Sequence, residues 1–251
     1  MAIKLWGLYM RILTLNMNMF NFYQADDSFN IYIEEIKPDI AIIQECRYNR
    51  LVGVNENYKI LLPNGYTKND IDNRIHFTLA LHHGNVDREN NSLLKKYGYT
   101  FLKMKVDDIN SVLAVHIPLK DDKFENEYNI LLNAIKNSNS KLICGDFNAS
   151  MKKNSPNYRF LRELIEEQEY FDLWSEGLND NKSYYINYKG KEIKAEKNIL
   201  YRTYIGNTFI DYILGKKRWI HFDKILIDTR TLSFTDHCGI IADIEFVKSE
   251  S

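Results

Sequence analysis

The feature of this chain that most limits how it can fold is a repeated pairing of short apolar runs with an Asp, Asn, Glu or His at or near their ends. RILTL (11–15) leads into Asn16 and Asn18, IAIIQ (40–44) into Glu45, and SVLAVHI (111–117) carries His116 near its end. KLIC (141–144) passes through Gly145 to Asp146 and Asn148. FIDYIL (209–214) holds Asp211, and Asp236–His237 precede the last apolar run, 239–246. Short apolar runs bounded by chain breakers read as buried strands. One polar residue after a strand ordinarily makes a turn. A whole series of them suggests that sheet ends are gathering side chains from distant parts of the chain.

The same reading places strands at 75–82, 200–205, 208–214 and 222–228. Helical spacing shows in Phe29, Ile33 and Ile36 ahead of Pro38, in Leu131, Leu132 and Ile135 within 124–137, and in Phe160, Leu161, Leu164 and Ile165 within 157–167. Strands outnumber helices, and helices fall between some of them. The expected class is α/β (α+β), with two facing sheets and helices outside. With 4 Pro and 11 Gly in 251 residues there is little linker material, so residues 1–251 read as a single domain. Residues 1–9 read as an extension or tag ahead of the first strand, and 175–199 as a loop region.

Charge and cysteine usage narrow the functional classes. The net charge of −1 and pI of about 6.6 argue against tight non-specific gripping of duplex DNA, because such proteins carry a basic footprint. A local basic rim around an acidic centre is compatible with the total. Cys46, Cys144 and Cys238 are odd in number and widely spaced, which argues against both a disulfide framework and a zinc cluster. They read as small buried packing residues. No apolar run is long enough for a spanning helix, and residues 1–10 lack the layout of a secretory signal. The expectation is a cytoplasmic protein, monomeric by default.

LTLNMN, IIQE, VHIP, CGDFN, FIDYIL and TDHCGI occur in that order from residue 11 to about 246. Together they resemble the successive motifs of the endonuclease/exonuclease/phosphatase superfamily. GDFN and the terminal Asp-His pair are moderately specific, the others weak singly. The resemblance implies a four-layer α/β sandwich of two packed mixed sheets flanked by helices, with the site at one sheet edge. It also implies a metal-dependent phosphodiester hydrolase, a nuclease acting on DNA or RNA. The expected cofactor is Mg²⁺, with Mn²⁺ substituting, since a hard cation prefers oxygen ligands and neutralises phosphate charge.

By the same resemblance Glu45 is the principal metal ligand, beside Asn16 and Asp236. Asp146 orients or deprotonates the attacking water, and Asn148 holds phosphate or metal-bound water. His237, partnered by Asp211, stabilises the developing charge. His116 departs from the Tyr of the abasic-site endonucleases. It is similar instead to the pancreatic deoxyribonuclease and sphingomyelinase branches, where a general-acid role is implied. Asn18, Arg74 and Arg202 are weaker substrate-binding candidates, and Arg47, Lys120, Lys152 and Lys153 could join them on a phosphate-binding rim. One of His82 and His83 must point inward if its strand is regular, and Tyr184, Tyr185 and Tyr188 are more readily packing residues than base-stacking ones.

Other readings stay open. Ile210-Asp211-Tyr212-Ile213 lacks the Trp-x-Asp-Arg pattern of the inositol-polyphosphate phosphatases. A nucleotide or lipid phosphoester remains a possible substrate. A catalytically inactive binding module would have lost a metal ligand or the terminal histidine, and this chain has lost neither.

Overall fold

The computed structural model describes residues 8–18, 25–47, 51, 57–67, 77–89, 97–108, 110–150, 154–179, 184–197, 199 and 201–247. An eight-stranded sheet contains β1 (Leu8–Asn16), β2 (Ile40–Cys46), β3 (Lys59–Leu61), β4 (Phe77–His82), β10 (Tyr184–Tyr188), β11 (Lys191–Lys194), β13 (Ile220–Asp228) and β14 (Gly239–Phe246). Its spatial order is β11-β10-β13-β14-β1-β2-β4-β3. A six-stranded sheet contains β5 (Val86–Arg88), β6 (Phe101–Val106), β7 (Asn110–His116), β8 (Leu142–Asp146), β9 (Tyr170–Asp172) and β12 (Asp211–Lys216), in the order β5-β6-β7-β8-β12-β9. Both sheets are mixed: β1–β2, β10–β13 and β7–β8 run parallel, and the other pairs antiparallel.

Strand alternation sorts the apolar residues into three cores. Ile12, Ile40, Ile42, Ala114, Cys144, Ile213 and Ile240 lie between the two sheets. Leu13, Leu15, Ala41 and Ile43 point the other way, onto Phe29 and Ile33 of α1 (Ala25–Ile36). Leu113, Ile143, Tyr212 and Leu214 meet Leu131 and Ile135 of α2 (Glu125–Lys136), together with Leu161 and Leu164 of α3 (Pro156–Glu167). The order helix, sheet, sheet, helix is therefore the four-layer α/β sandwich. α3 starts where its sequence says it should: Ser155 caps it by accepting from Tyr158 N at 3.2 Å, and Pro156 opens the first turn. A short α4 (Leu173–Asn179) follows β9. Among the described residues no helix is long and apolar enough to cross a membrane.

Several local expectations need correction. Leu8 and Tyr9 belong to β1, pairing with Phe246 and Glu245, so the strand begins inside the expected extension. Residues 201–205, the described part of the expected 200–205 strand, form no strand. Tyr204 makes only isolated bridges, to Thr208 and His237, because the chain doubles back at Gly206 before β12. The 175–199 region is no plain loop: it holds most of α4 and the β10–β11 hairpin. That hairpin turns on Lys189 (φ 50°) and Gly190 (φ 75°). Positive φ at both central residues of a two-residue loop matches the strand twist.

Candidate active site

Three neighbouring strands of the six-stranded sheet end in one row of chemistry. His116 pairs laterally with Asp146, and Asp146 with Asp211. Two residues behind them Ala114, Cys144 and Ile213 sit in the inter-sheet core, so by the two-residue period the row faces the other sheet. From that sheet Asn16 continues the inward face of Ile12 and Thr14 and is 1% exposed. Its Nδ2 donates to Asp146 Oδ2 at 2.9 Å and to Glu45 Oε1 at 3.2 Å, joining the two sheets.

Glu45 reaches this point through a defect. Ile43 pairs with Leu79 and Cys46 with Phe77, so β2 spends one residue more than β4 over this stretch. Glu45 takes φ 50°. A β-bulge of this kind re-aims a side chain. Regular alternation would have sent Glu45 to the helix-side core that Ile43 and Cys46 occupy. Its Oε1 lies 3.4 Å from His116 Nε2, which is 3.9 Å from Asp146 Oδ2.

Gly145 makes the lateral row possible. It has φ 146°, and a Cβ there would stand 1.9 Å from the Val115 carbonyl oxygen. Beyond the strand, Asn148 N donates to Asp146 Oδ1 at 2.7 Å. Asn148 Nδ2 donates to the Ile117 carbonyl at 3.1 Å and lies 3.4 Å from His116 Nε2.

Asp211 and His237 form a buried pair, Nδ1 to Oδ2 at 3.0 Å. Burial alone would lower the imidazole's affinity for a proton, but the Asp211 charge and hydrogen bond outweigh it, and the His237 pKa rises to about 9. Burial first, and then the negative Asp211, push Asp146 up to about 6. Asp236 is half-buried, with Oδ1 3.7 Å from His237 Nε2. This Oδ1 is buried without a hydrogen-bond partner among the described residues.

The sequence-selected residues Asn16, Glu45, His116, Asp146, Asn148, Asp211, Asp236 and His237 thus form one continuous cluster. Asn18 sits at its margin with φ 42°, its backbone N–H donating to Asn16 Oδ1 at 2.8 Å. Arg202 is exposed beside buried Thr203. Arg74, Lys152 and Lys153 lie outside the described residues. Lys120 is paired with Glu125 at 2.5 Å. His82 is buried, while exposed His83 packs its ring 3.9 Å from that of Tyr58. Tyr184 is buried against Trp174, and Tyr188 is exposed. All three cysteines are buried, Cys46 on the helix side and Cys144 and Cys238 between the sheets.

Sequence reasoning missed three hydroxyls that fix the cluster. Thr203 Oγ1 accepts from the backbone of Ile210 and Asp211 (3.0 and 3.1 Å). Thr231 Oγ1 donates to the His237 carbonyl at 2.7 Å, and Thr235 Oγ1 to that of Asn16 at 2.8 Å. A threonine in a loop carries no signal that would single it out.

No family model and no curated protein matches this chain. Solved structures do. The endonuclease/exonuclease/phosphatase from Bacteroides vulgatus aligns with a TM-score of 0.63 at 15% identity, over 96% of this chain and 100% of that one. The endonuclease domain of TRAS1, a telomere-specific non-LTR retrotransposon, gives 0.61 at 14%, over 96% and 100%. D. rerio TDP2 complexed with a single-strand DNA product gives 0.60 at 11%, over 94% and 98%. The chain has the endonuclease/exonuclease/phosphatase fold. This is a fold that nucleases use, and in this chain the cluster lies where β1, β2, β7 and β8 end and β12 begins.

The cluster's donor chemistry suits a hard cation at its carboxylate and amide oxygens rather than at His237. Asp146, Asp211 and His237 offer ligand atoms within 4.8 Å of one another, yet His237 Nδ1 is committed to Asp211. The oxygens of Glu45, Asn16, Asp146 and Asp236 are the harder set. The unpartnered Asp236 Oδ1 is an acceptor for which a cation, or water bound to one, would compensate.

Proposed function

We propose that this protein is a Mg²⁺-dependent phosphodiester hydrolase, a nuclease cleaving DNA or RNA by water attack on phosphorus. The observation that carries the reading is the contact of two unlike halves. Asn16 and Glu45 from one sheet meet Asp146 from the other, next to a buried, proton-retaining Asp211–His237 pair. Glu45, Asn16 and Asp236 would hold the metal. When bound, Mg²⁺ supplies charge neutralisation at the phosphate and the leaving oxygen.

The remaining chemistry belongs to the chain. Asp146 orients the attacking water and takes its proton; a carboxylate raised to about 6 is a better base than an ordinary one. The two Asn148 bonds to Asp146 and the Ile117 carbonyl fix where its amide meets the phosphate. His237 keeps Nδ1 on Asp211, which leaves Nε2–H to donate to a non-bridging oxygen as charge builds. His116, 3.4 Å from Glu45, gives a proton to the leaving oxygen.

The test is a cleavage assay at neutral pH with plasmid DNA, single-stranded DNA, RNA and bis-p-nitrophenyl phosphate. Each is run with Mg²⁺, Mn²⁺ or EDTA and beside Glu45→Ala. Metal-dependent cleavage of a polynucleotide, lost in the variant, is the expected result. Turnover of the small ester alone would move the substrate to nucleotides or lipids, and no turnover at all would overturn the reading.

A further inference from the structure

We propose that Tyr204, held in place by Thr203 and Gly206, is a positioning residue for His237. The inference rests on the catalytic reading of His237 only for its effect on rate; the packing it invokes stands apart from that reading.

The turn 203–208 is stitched to both members of the Asp211–His237 pair. On one side Thr203 accepts the Cys238 N–H at 2.7 Å through its carbonyl, and Ile205 N donates to the Asp236 carbonyl at 3.0 Å. These two bonds flank His237 and fix its backbone. On the other side the Thr203 hydroxyl, on a residue with no exposure, accepts from Ile210 and Asp211. The turn closes on itself through Thr203 N and Tyr204 N, both donating to the Thr208 carbonyl at 3.1 Å.

From this frame the Tyr204 ring lies against the imidazole, with centroids 5.0 Å apart and planes at 50°. An imidazole anchored only at Nδ1 can still rock about that bond, which would swing Nε2 away from its target. The Tyr204 ring blocks one direction of that motion. Behind the ring is Gly206, where a Cβ would come within 2.5 Å of Tyr204 Cε1 and 2.8 Å of Cδ1. Glycine is therefore required for the ring to occupy its place. Tyr204 touches no reacting atom in this arrangement, and its contribution passes through His237.

The experiment compares the wild type with Tyr204→Phe, Tyr204→Ala and Gly206→Ala, each first checked for native far-UV circular dichroism. The readout independent of activity is the downfield Nδ1–H proton resonance of His237 in metal-free protein, assigned by its loss in His237→Ala. The second is kcat and KM for bis-p-nitrophenyl phosphate with Mg²⁺. Tyr204→Phe should keep the resonance. Tyr204→Ala and Gly206→Ala should broaden it beyond detection, and kcat should fall by roughly 10- to 100-fold with KM nearly unchanged, the pattern of a misaligned group. Tyr204→Phe keeps the ring, so its kcat should stay within about twofold of wild type.

A resonance and kcat that survive both Tyr204→Ala and Gly206→Ala would overturn the proposal, as would a wild type without the resonance. If the resonance disappears in Tyr204→Ala while His237→Ala still turns over normally, the positioning stands and the catalytic role of His237 fails.

Discussion

Replacing Gly145 by alanine should cost far more than its single added methyl suggests. At φ 146° the new Cβ would lie 1.9 Å from the Val115 carbonyl oxygen and 2.9 Å from its carbon, both backbone atoms in the neighbouring strand. An unstrained carbon–oxygen contact is about 3.3 Å or longer. The strands must therefore separate locally by more than an ångström, or the glycine peptide must rotate. Separation breaks about two ladder hydrogen bonds, at roughly 1 kcal/mol each, and the backbone region adds about 1–3 kcal/mol. The sum is about 3–5 kcal/mol, or roughly a 6–20 °C fall in Tm for a domain of this size.

Gly190→Ala is the internal control. It also has positive φ, but a Cβ there meets nothing within 4 Å, so its cost should stay near the left-handed backbone penalty of about 1–2 kcal/mol. Thermal unfolding by circular dichroism, confirmed by calorimetry, measures both. If Gly145→Ala melts no lower than Gly190→Ala, the steric argument is wrong and β7 and β8 are not locked at this point.

Other variants probe separate parts of the molecule. Glu45→Ala should abolish Mg²⁺-dependent turnover while leaving Tm within a few degrees, and wild-type activity would remove Glu45 from the metal site. Asp146→Asn and His237→Ala should each lower kcat by roughly 10²–10⁴-fold, and turnover within tenfold of wild type would exclude that residue's role. His116→Ala should slow esters with poor leaving groups more than activated aryl esters; equal losses in a leaving-group series would contradict a general acid. Thr203→Val should destabilise the fold by about 1–3 kcal/mol for each of the two buried N–H groups it strands, and an unchanged denaturant midpoint would show that they find other partners.

The polar cluster was legible in the sequence because its members stand at strand ends, where the two-residue period and the chain order constrain them together. Asp146, His116 and Asp211 follow from that logic alone once β7, β8 and β12 are neighbours. Glu45 does not, since regular alternation points it toward α1 and only the bulge against Leu79 and Phe77 corrects this. The β10–β11 hairpin was illegible because its turn uses Lys189-Gly190 rather than an Asn-Gly pair. The 200–205 segment looked like a strand because Tyr204 and Ile205 favour extended backbone. The real shape of residues 203–205 is set by tertiary hydrogen bonds to Asp236 and Cys238, which local preference cannot reveal.

The bridge made by Asn16 between Glu45 and Asp146 makes the inter-sheet core a caliper. Facing sheets sit about 10 Å apart, a distance set by the bulk of the side chains between them. Here those side chains include small ones, Ala114 and Cys144 from the six-stranded sheet and Ala242 from the eight-stranded one, among Ile12, Ile42 and Ile240. Enlarging one of the small residues would open the jaws and lengthen the span from Glu45 to Asp146 before it unfolded the protein. The core of this molecule is thus also its ruler, and a substitution that no substrate touches can still change what the site is able to grip.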